Sequence, residues 1–298
     1  MRNKIFDVFL FLNELDLLEL RLKTLFETVD YFVITEIDET FSGIPKPLIF
    51  EKYRSRFMKY NKKIIYNPVT KKELSQLNQS RWVNFVTDFN RELPHKHCGK
   101  APKKLKKSLK REISHRDSAI LGFYKIASEN DFILLSDLDE IPNPQAIAEV
   151  IKKKITTPHY FKMSWYLYWI NNKVSKPWFG TVMFRFKSIN GNSLDNFRFA
   201  SSDEKTVPGT IVNNGGWHFS YLGGADAISY KLQSHPFQGY KAQIAIILDK
   251  LGIRRIKNTI KSNRDLFFQN RELNIVNIDM TYPKTILKDE KFIDRYSC

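Results

Sequence analysis

The chain has 298 residues, of which 42% are hydrophobic and 14% aromatic. This composition excludes an intrinsically disordered chain, and the length suffices for one large α/β domain. The formal net charge of +16 indicates attraction to anions. Nucleic acid, an anionic membrane surface and phosphate-bearing small molecules all meet that description, and charge alone does not distinguish them.

The N-terminal segment and the cysteines bear on location. The apolar run at residues 5–11 is too short for a signal peptide or a membrane span, and polar residues follow it directly. Cys98 and Cys298 are too few for the disulfide framework of a small secreted domain. The sequence therefore predicts a cytoplasmic protein with neither a signal peptide nor a transmembrane segment.

The first half of the chain alternates predicted strands and helices, which is typical of a parallel sheet with helices on both faces. Continuous apolar runs predict buried strands at residues 5–11, 31–37, 64–66 and 132–135. Helical periodicity predicts helices after an Asn13 cap and at residues 79–93, 112–130 and 145–155. Between them, glycine, proline and many lysines predict a basic loop at residues 95–107.

The second half of the chain is richer in aromatic residues, and aromatic strands are predicted at residues 160–170 and 181–187. A glycine-rich segment at residues 215–224 and a helical tail follow. Large aromatic side chains suit stacking on the apolar faces of sugar rings, and they suit core packing equally. Both alternatives stay open for Trp165, Tyr166, Tyr168, Trp169 and Trp178.

An acidic cluster follows the predicted strand at residues 132–135. Ligands of open α/β sheets bind outside the carboxyl ends of the strands, where Asp137, Asp139 and Glu140 are expected. Side chains two residues apart in an extended segment project the same way, so Asp137 and Asp139 are expected to face one cavity. Two carboxylates, completed by phosphate oxygens and water, hold Mg²⁺ or Mn²⁺ beside a nucleotide. The alternative is a polar turn before the next helix.

Several blocks, in order, resemble glycosyltransferase family 17, which includes the β-1,4-mannosyl-glycoprotein β-1,4-N-acetylglucosaminyltransferases. The acidic block reads Leu-Ser-Asp-Leu-Asp-Glu-Ile-Pro, and a later block reads Gly-Gly-Trp-His-Phe-Ser-Tyr. Together the similar blocks span most of the chain: residues 5–19, 29–36, 40–43, 116–117, 135–142 and 215–221.

The resemblance implies an α/β fold of the GT-A type. Such a fold has a Rossmann-like, mostly parallel central sheet with helices on both faces and a C-terminal acceptor-side subregion. One domain over residues 1–298 is then expected, with a nucleotide-sugar-binding half at 1–155 and an acceptor-binding half at 156–298. The resemblance also implies a UDP-sugar donor such as UDP-N-acetylglucosamine, a divalent Mn²⁺ or Mg²⁺ ion, and inversion of configuration.

Site residues are carried over on the same basis. Asp139 resembles the main metal ligand, Asp137 lies nearer the ribose or on the same ion, and His218 resembles the histidine that closes the metal site. Donor binding is implied for Glu36, Ser42, Gly43, Arg116 and Asp137.

The general base is sought between the acidic cluster and His218, where many inverting GT-A enzymes carry it. Asp203 and Glu204 occupy that stretch. Ordinary loop charge is the alternative for this pair, and Asp226 is a rival base.

Two other functions use the same features. A basic nucleic-acid-binding protein fits the charge, but no binding motif accompanies it, so nucleic acid is not the expected partner. A metal-dependent phosphoryl transferase or nuclease would use the same carboxylates. For the acceptor, a soluble glycan and a lipid-linked glycan remain open. If the acceptor is lipid-linked, the basic segment at residues 96–111 would contact the anionic inner face of a membrane.

Overall fold

The computed structural model describes residues 2–77, 103–153, 155–190, 192–234, 247, 255–266 and 271–298. Ten strands of the described residues form one sheet. They are β1 (Ile5–Leu10), β2 (Tyr31–Ile37), β3 (Ile64–Val69), β4 (Phe132–Asp137), β5 (Glu140–Pro142), β6 (His159–Leu167), β7 (Asn172–Val174), β8 (Trp178–Arg185), β9 (Thr210–Ser220) and β10 (Leu273–Ile275).

Helices flank this sheet. The α-helices are α1 (Leu15–Leu25), α2 (Ile49–Lys52), α3 (Lys71–Leu77), α4 (Lys103–Ser118), α5 (Pro144–Lys152), α6 (Gly224–Ser234), α7 (Arg255–Lys261), α8 (Lys284–Leu287) and α9 (Glu290–Tyr296). Short 3₁₀ helices connect several elements, at Arg54–Lys63, Ala119–Gly122, Phe186–Ser188, Leu194–Phe197 and Glu204–Thr206. No helix in the described part of the chain is both long and apolar enough to cross a bilayer.

One half of the sheet is parallel. The strands lie in the order β3-β2-β1-β4, and each neighbouring pair is parallel. The apolar runs of β1, β2 and β4 are explained by burial on both faces of the sheet, whereas β3 at its edge is only partly buried. On one face α1 packs Leu18, Leu22 and Leu25, and on the other Ile120 and Phe123 cover the sheet. The carboxyl ends of these strands therefore form one edge, at which Asp137 ends β4.

The other half joins by antiparallel pairing of β8 to β4 and to β6. Strand β9 runs parallel to β6, and the short β5 pairs antiparallel with β9. In that register Glu140 lies opposite His218. Strand β9, in the second half of the chain, thus places His218 beside the acidic segment that follows β4.

The predicted α/β class, with a large central sheet flanked by helices, is confirmed, and it is consistent with a GT-A type fold. The division into donor-binding and acceptor-binding halves stays a prediction. Of the other segments, the predicted helix at residues 79–93 and the residues 95–102 of the predicted loop lie outside the described residues.

Two local predictions are wrong. Asn13 does not cap α1, because Glu14 occupies the N-cap position and no side chain bonds there. The basic stretch from residue 103 onward is helical, and this helix ends at Ser118 rather than reaching 130. Beyond it the chain tightens into a 3₁₀ turn, in which the Phe123 amide donates to the Ile120 carbonyl at 3.1 Å.

Candidate functional site

Arg21 of α1 binds the backbone of the acidic segment, residues 136–140, at the junction of β4 and β5. This side chain is fully buried, and its Nη1 donates to the backbone carbonyls of Asp137 at 3.0 Å and Glu140 at 2.8 Å. Its Nη2 donates to Ser136 Oγ at 2.6 Å. Asp7 of β1, also fully buried, balances the charge, since Arg21 Nε lies 2.8 Å from Asp7 Oδ2. Sequence reasoning missed both residues.

Asp137 is the more exposed carboxylate of the segment, with 42% of its side chain accessible. Arg198 Nη2 donates to Asp137 Oδ2 at 2.8 Å, and Arg116 Nη2 lies 3.3 Å from Asp137 Oδ1. Burial raises the pKa of Asp137, but the opposite effect of Arg198 and Arg116 is larger. The pKa of this carboxyl group therefore lies below its usual value. Both arginines are themselves buried. The structure thus brings the predicted Arg116 to Asp137 and adds Arg198.

Asp139 is almost fully buried and has two basic neighbours. Its Oδ1 lies 3.6 Å from His218 Nε2, and its Oδ2 accepts a hydrogen bond of 2.8 Å from Lys231 Nζ. Burial raises the pKa of Asp139, while Lys231 and His218 lower it to well below its usual range. Lys231 also lies 3.0 Å from Glu14 Oε1. The predicted pair of Asp139 and His218 is therefore brought together, and Lys231 and Glu14 join it.

His218 is fixed by aromatic packing and one hydrogen bond. Its ring is stacked on Trp165, with an interplanar angle of 9°, and lies 4.9 Å from Trp178 between centroids. Its Nε2 is 2.7 Å from Ser220 Oγ. Its Nδ1 is buried and has no hydrogen-bond partner within the described part of the chain.

Glu140 is buried and organises the segment rather than facing solvent. Its Oε1 accepts from Arg198 Nη2 and from Trp178 Nε1, both at 2.6 Å. Its Oε2 accepts from the Asp137 amide at 3.0 Å. A Cβ at Gly180 would lie only 1.9 Å from Oε1, so glycine at that position makes room for the carboxylate.

Glu36, predicted to bind the donor, lies at the core. It is fully buried and accepts hydrogen bonds from Lys46 Nζ at 2.5 Å and from the amides of Ile49 and Phe50 at 2.6 and 2.9 Å. The Tyr66 hydroxyl donates to it at 3.1 Å. These contacts make Glu36 an internal anchor for the start of α2.

Ser42 and Gly43 form a turn beside α6. Gly43 has a φ of +88°, which favours glycine, and the Arg111 guanidinium packs on it, 2.7 Å from where a Cβ would lie. The Ser42 amide donates to the carbonyl of Ser234 at 3.1 Å, at the last residue of the helix that carries Lys231. The predicted donor-binding turn therefore abuts the helix next to Asp139.

The predicted bases, Asp203 and Glu204, are exposed, and their carboxylates bind groups outside the acidic segment. Asp203 Oδ1 accepts from the Lys205 amide at 3.1 Å, and Glu204 Oε2 pairs with Lys162 Nζ at 2.7 Å. No hydrogen bond or ion pair of the described residues joins either one to Asp137 or Asp139. The rival Asp226 is exposed on the first turn of α6.

Of the aromatic residues proposed for sugar stacking, Trp165, Tyr166 and Tyr168 are buried in the core. Trp169 and Trp178 are only partly buried and border that core. Core packing is therefore the alternative that holds for the first three.

Comparison with known proteins bears on the first third of the chain. Residues 1–91 match the model of glycosyltransferase family 17. The family predicted from the sequence is thereby confirmed over this stretch, which includes Arg21, Glu36 and the Ser42 turn. No curated protein and no solved structure matches the chain. The family-17 match supports a glycosyltransferase, and with it a sugar donor and a glycan acceptor.

The residues of the acidic segment fit the divalent metal ion that the family-17 resemblance implies. Asp137 and Asp139 offer the hard oxygen ligands that Mg²⁺ and Mn²⁺ prefer, and the His218 imidazole, whose Nε2 lies 3.6 Å from Asp139 Oδ1, is compatible with them. Within the described residues, no three Asp, Glu, His or Cys side chains converge into a complete ligand set. The chemistry fits an ion whose remaining ligands come from a bound diphosphate and water.

Proposed function

We propose that the protein is a metal-dependent, inverting glycosyltransferase that transfers N-acetylglucosamine from UDP-N-acetylglucosamine to a hydroxyl of a glycan acceptor. The observation that carries the proposal is the arrangement at the carboxyl end of β4. There Asp137 and Asp139 are surrounded by Arg116, Arg198 and Lys231. A site for a nucleoside diphosphate and a divalent ion needs carboxylates and cations side by side, and the family-17 match supplies the class of reaction.

In this proposal Asp139, with Asp137 and His218, holds Mn²⁺ or Mg²⁺. A bound ion neutralises the charge that develops on the leaving diphosphate. Arg116 and Arg198 remain protonated at any physiological pH and stand within 3.3 and 2.8 Å of Asp137, where they complement phosphate oxygens. The burial of Asp139 lowers the local dielectric, which strengthens each of these interactions.

The base that deprotonates the acceptor is proposed to be Asp203 or Glu204. Their segment follows Arg198, which contacts Asp137, and the carbonyl of Ser201 accepts from the Phe179 amide at 2.8 Å. Phe179 adjoins Trp178, which donates to Glu140. The segment is thus connected to two residues that contact the acidic segment, Arg198 and Trp178, and this connection supports a base from this part of the chain.

The proposal extends to partners and location. The acceptor is a glycan, soluble or lipid-linked, and the enzyme works in the cytoplasm or at the inner face of an anionic membrane. The net charge of +16 supports the second alternative. Nucleic acid is not proposed as a partner.

The decisive experiment measures the melting temperature with UDP and a panel of nucleotide sugars, in Mn²⁺ and in EDTA, together with release of the nucleotide. UDP-N-acetylglucosamine is expected to stabilise the protein and to be hydrolysed slowly, only with metal. Asp139→Asn should abolish both effects, whereas Asp279→Asn, an exposed aspartate of the C-terminal part, should preserve them. Failure of every nucleotide to stabilise the wild type, or metal-dependent stabilisation retained by Asp139→Asn, would contradict the proposal. Cleavage of a phosphodiester substrate instead would indicate a nuclease.

A further inference from the structure

Lys231 occupies an unusual position for a lysine on a surface helix. Its Nζ lies 2.8 Å from Asp139 Oδ2 and 3.0 Å from Glu14 Oε1, and only 20% of its side chain is accessible. The ring of Tyr221 lies 5.5 Å away and adds a cation–π contact. The ammonium group is thus held between two carboxylates from different parts of the chain.

The two oxygens of Asp139 have different neighbours. Oδ1 faces His218 at 3.6 Å, and Oδ2 is taken by Lys231 at 2.8 Å. A Mg²⁺ or Mn²⁺ ion binds a carboxylate oxygen at about 2.1 Å. On Oδ1, which faces His218, or on Oδ2, the ion would stand within several ångströms of the ammonium, and two positive charges in a partly buried site repel each other. Lys231 and a divalent ion therefore compete for the negative charge of Asp139.

Lysine is suited to changing partners. Its ammonium is a compact charge on a flexible four-carbon stem, without the rigid fork of arginine. Glu14 stays within 3.0 Å as a second anchor if Asp139 is lost. A phosphate bound to an ion on Asp139 would bring anionic oxygens into the same small space, so the released ammonium would find a new partner there.

We propose that Lys231 exchanges Asp139 for the donor's diphosphate when the divalent ion binds. This inference rests on the proposed function and adds a ligand to it. Without the ion, the lysine neutralises Asp139 and competes for it; with the ion and the diphosphate, it contacts a phosphate oxygen. The site is thereby biased toward binding the ion and the diphosphate together.

The position of α6 supports this assignment. The helix that carries Lys231 ends at Ser234, whose carbonyl accepts a hydrogen bond from the Ser42 amide in the turn proposed for donor binding. Lys231 is therefore placed between the acidic segment and that turn.

The experiment measures the affinity of the nucleotide-free protein for Mn²⁺ by electron paramagnetic resonance, and then the affinity for UDP at saturating Mn²⁺. Lys231→Gln removes the competing charge and keeps a hydrogen-bonding group. It is expected to bind Mn²⁺ about tenfold more tightly than wild type and UDP about tenfold more weakly. Lys59→Met is the control, because Lys59 is an exposed lysine paired with Glu19 at 3.3 Å. It should change neither affinity.

Lys231→Arg gives the opposite change. Its fork should bind the Asp139 carboxylate more firmly, so the Mn²⁺ affinity should fall below that of wild type. This variant decides the question by itself if Lys231→Gln does not fold, and an affinity equal to or above that of wild type would then overturn the exchange.

Each remaining outcome is also decisive. If wild type binds Mn²⁺ and UDP but Lys231→Gln matches the Lys59→Met control, the exchange is wrong and the glycosyltransferase proposal stands. If Lys231→Gln loses stability without any gain in Mn²⁺ affinity, Lys231 has only a structural role, which is to attach α6 to Asp139 and Glu14. The proposed exchange is then also wrong. If no form binds Mn²⁺ even when UDP is present, both proposals fall.

Discussion

Arg21 donates a hydrogen bond of 2.8 Å to the backbone carbonyl of Glu140, across 119 positions of sequence. The same guanidinium bonds the carbonyls of Asp137 and Leu138 and is paired with Asp7. The conformation of the proposed metal-binding segment therefore depends on a buried ion pair between α1 and β1. Removing that pair is expected to affect the site without touching any proposed ligand side chain.

Arg21→Met should lower the free energy of unfolding by about 3–5 kcal/mol, because it leaves Asp7 as a buried, unpaired carboxylate. Burial already raises the pKa of Asp7, and the arginine opposes that shift. The double variant Asp7→Asn/Arg21→Met should recover part of the stability, as measured by urea unfolding.

The double variant should nevertheless bind UDP and Mn²⁺ poorly, since the carbonyls of the acidic segment lose their donor. Lys23→Met, on the same helix and partly exposed, is the matched control. Wild-type affinity in a folded double variant would show that Arg21 does not shape the site.

Gly180→Ala is expected to displace Glu140. The new Cβ would lie 1.9 Å from Glu140 Oε1, and the carboxylate would lose its bonds to Arg198 and Trp178. We expect a loss of about 1–3 kcal/mol in unfolding free energy and weaker UDP binding. In a Glu140→Ala background the same substitution should cost much less, because the clash is gone. An equal loss of unfolding free energy in both backgrounds would show that Gly180→Ala does not act through a clash with Glu140.

Glu36→Gln tests the donor role predicted for Glu36. The carboxylate holds the Lys46 ammonium and two amides at the start of α2, so its loss should lower the unfolding free energy by at least about 2 kcal/mol. The affinity of the folded variant for UDP should stay unchanged. A tenfold loss of UDP affinity, with stability unaffected, would instead support the predicted donor role of Glu36.

The base is located by comparing Asp203→Asn with Glu204→Gln. The residue that takes the acceptor's proton should lower kcat by about 10²–10⁴-fold when its carboxylate is lost, with little change in the KM of the donor. The other substitution should be nearly silent, because both residues are exposed. Two silent substitutions would direct the search to Asp226.

Strands β1, β2 and β4 of the parallel half were predictable because they are covered on both faces. Their apolar runs leave no ambiguity of period, and the bounds of Tyr31–Ile37 were anticipated to the residue. The lysines at the start of helix α4 predict a loop, although Leu105, Leu109 and Ile113 recur every four residues, the spacing of a helix. Its apolar spacing was the better signal than its charge.

The candidate site was predictable only in part. Asp137, Asp139 and His218 stood out from their sequence blocks, and the register of β5 on β9 places His218 opposite Glu140. Among the cations around them, Arg116 stood out from its sequence block, but Arg198 and Lys231 did not, because they meet the carboxylates through contacts that span 61 and 92 positions of sequence. One local signal existed: Asp7 interrupts an apolar strand, which requires a buried partner of opposite charge.

Asp117 gives the protein a pH-dependent stability. It is buried beside Arg116, its Oδ1 accepts from Ser193 Oγ at 2.7 Å, and its Oδ2 has no hydrogen-bond partner in the part of the chain that the structure describes. Burial raises the pKa of Asp117 to about 7. Between the ordinary pKa of an aspartate and that value, the folded state binds more protons than the unfolded state, so stability falls as pH rises through this window.

Asp117→Asn removes the titration while its carbonyl oxygen keeps the bond from Ser193. Relative to wild type, the variant should gain stability as the pH rises from 5 to 8, by up to about 3 kcal/mol in unfolding free energy. Asp279→Asn is the control: hydrogen bonds from Thr281 lower the pKa of that exposed carboxyl group, so it stays ionised across the range. Its difference from wild type should therefore be flat. Urea unfolding at each pH measures both differences, and a flat profile for Asp117→Asn would mean that this carboxyl group does not titrate in the folded protein between pH 5 and 8.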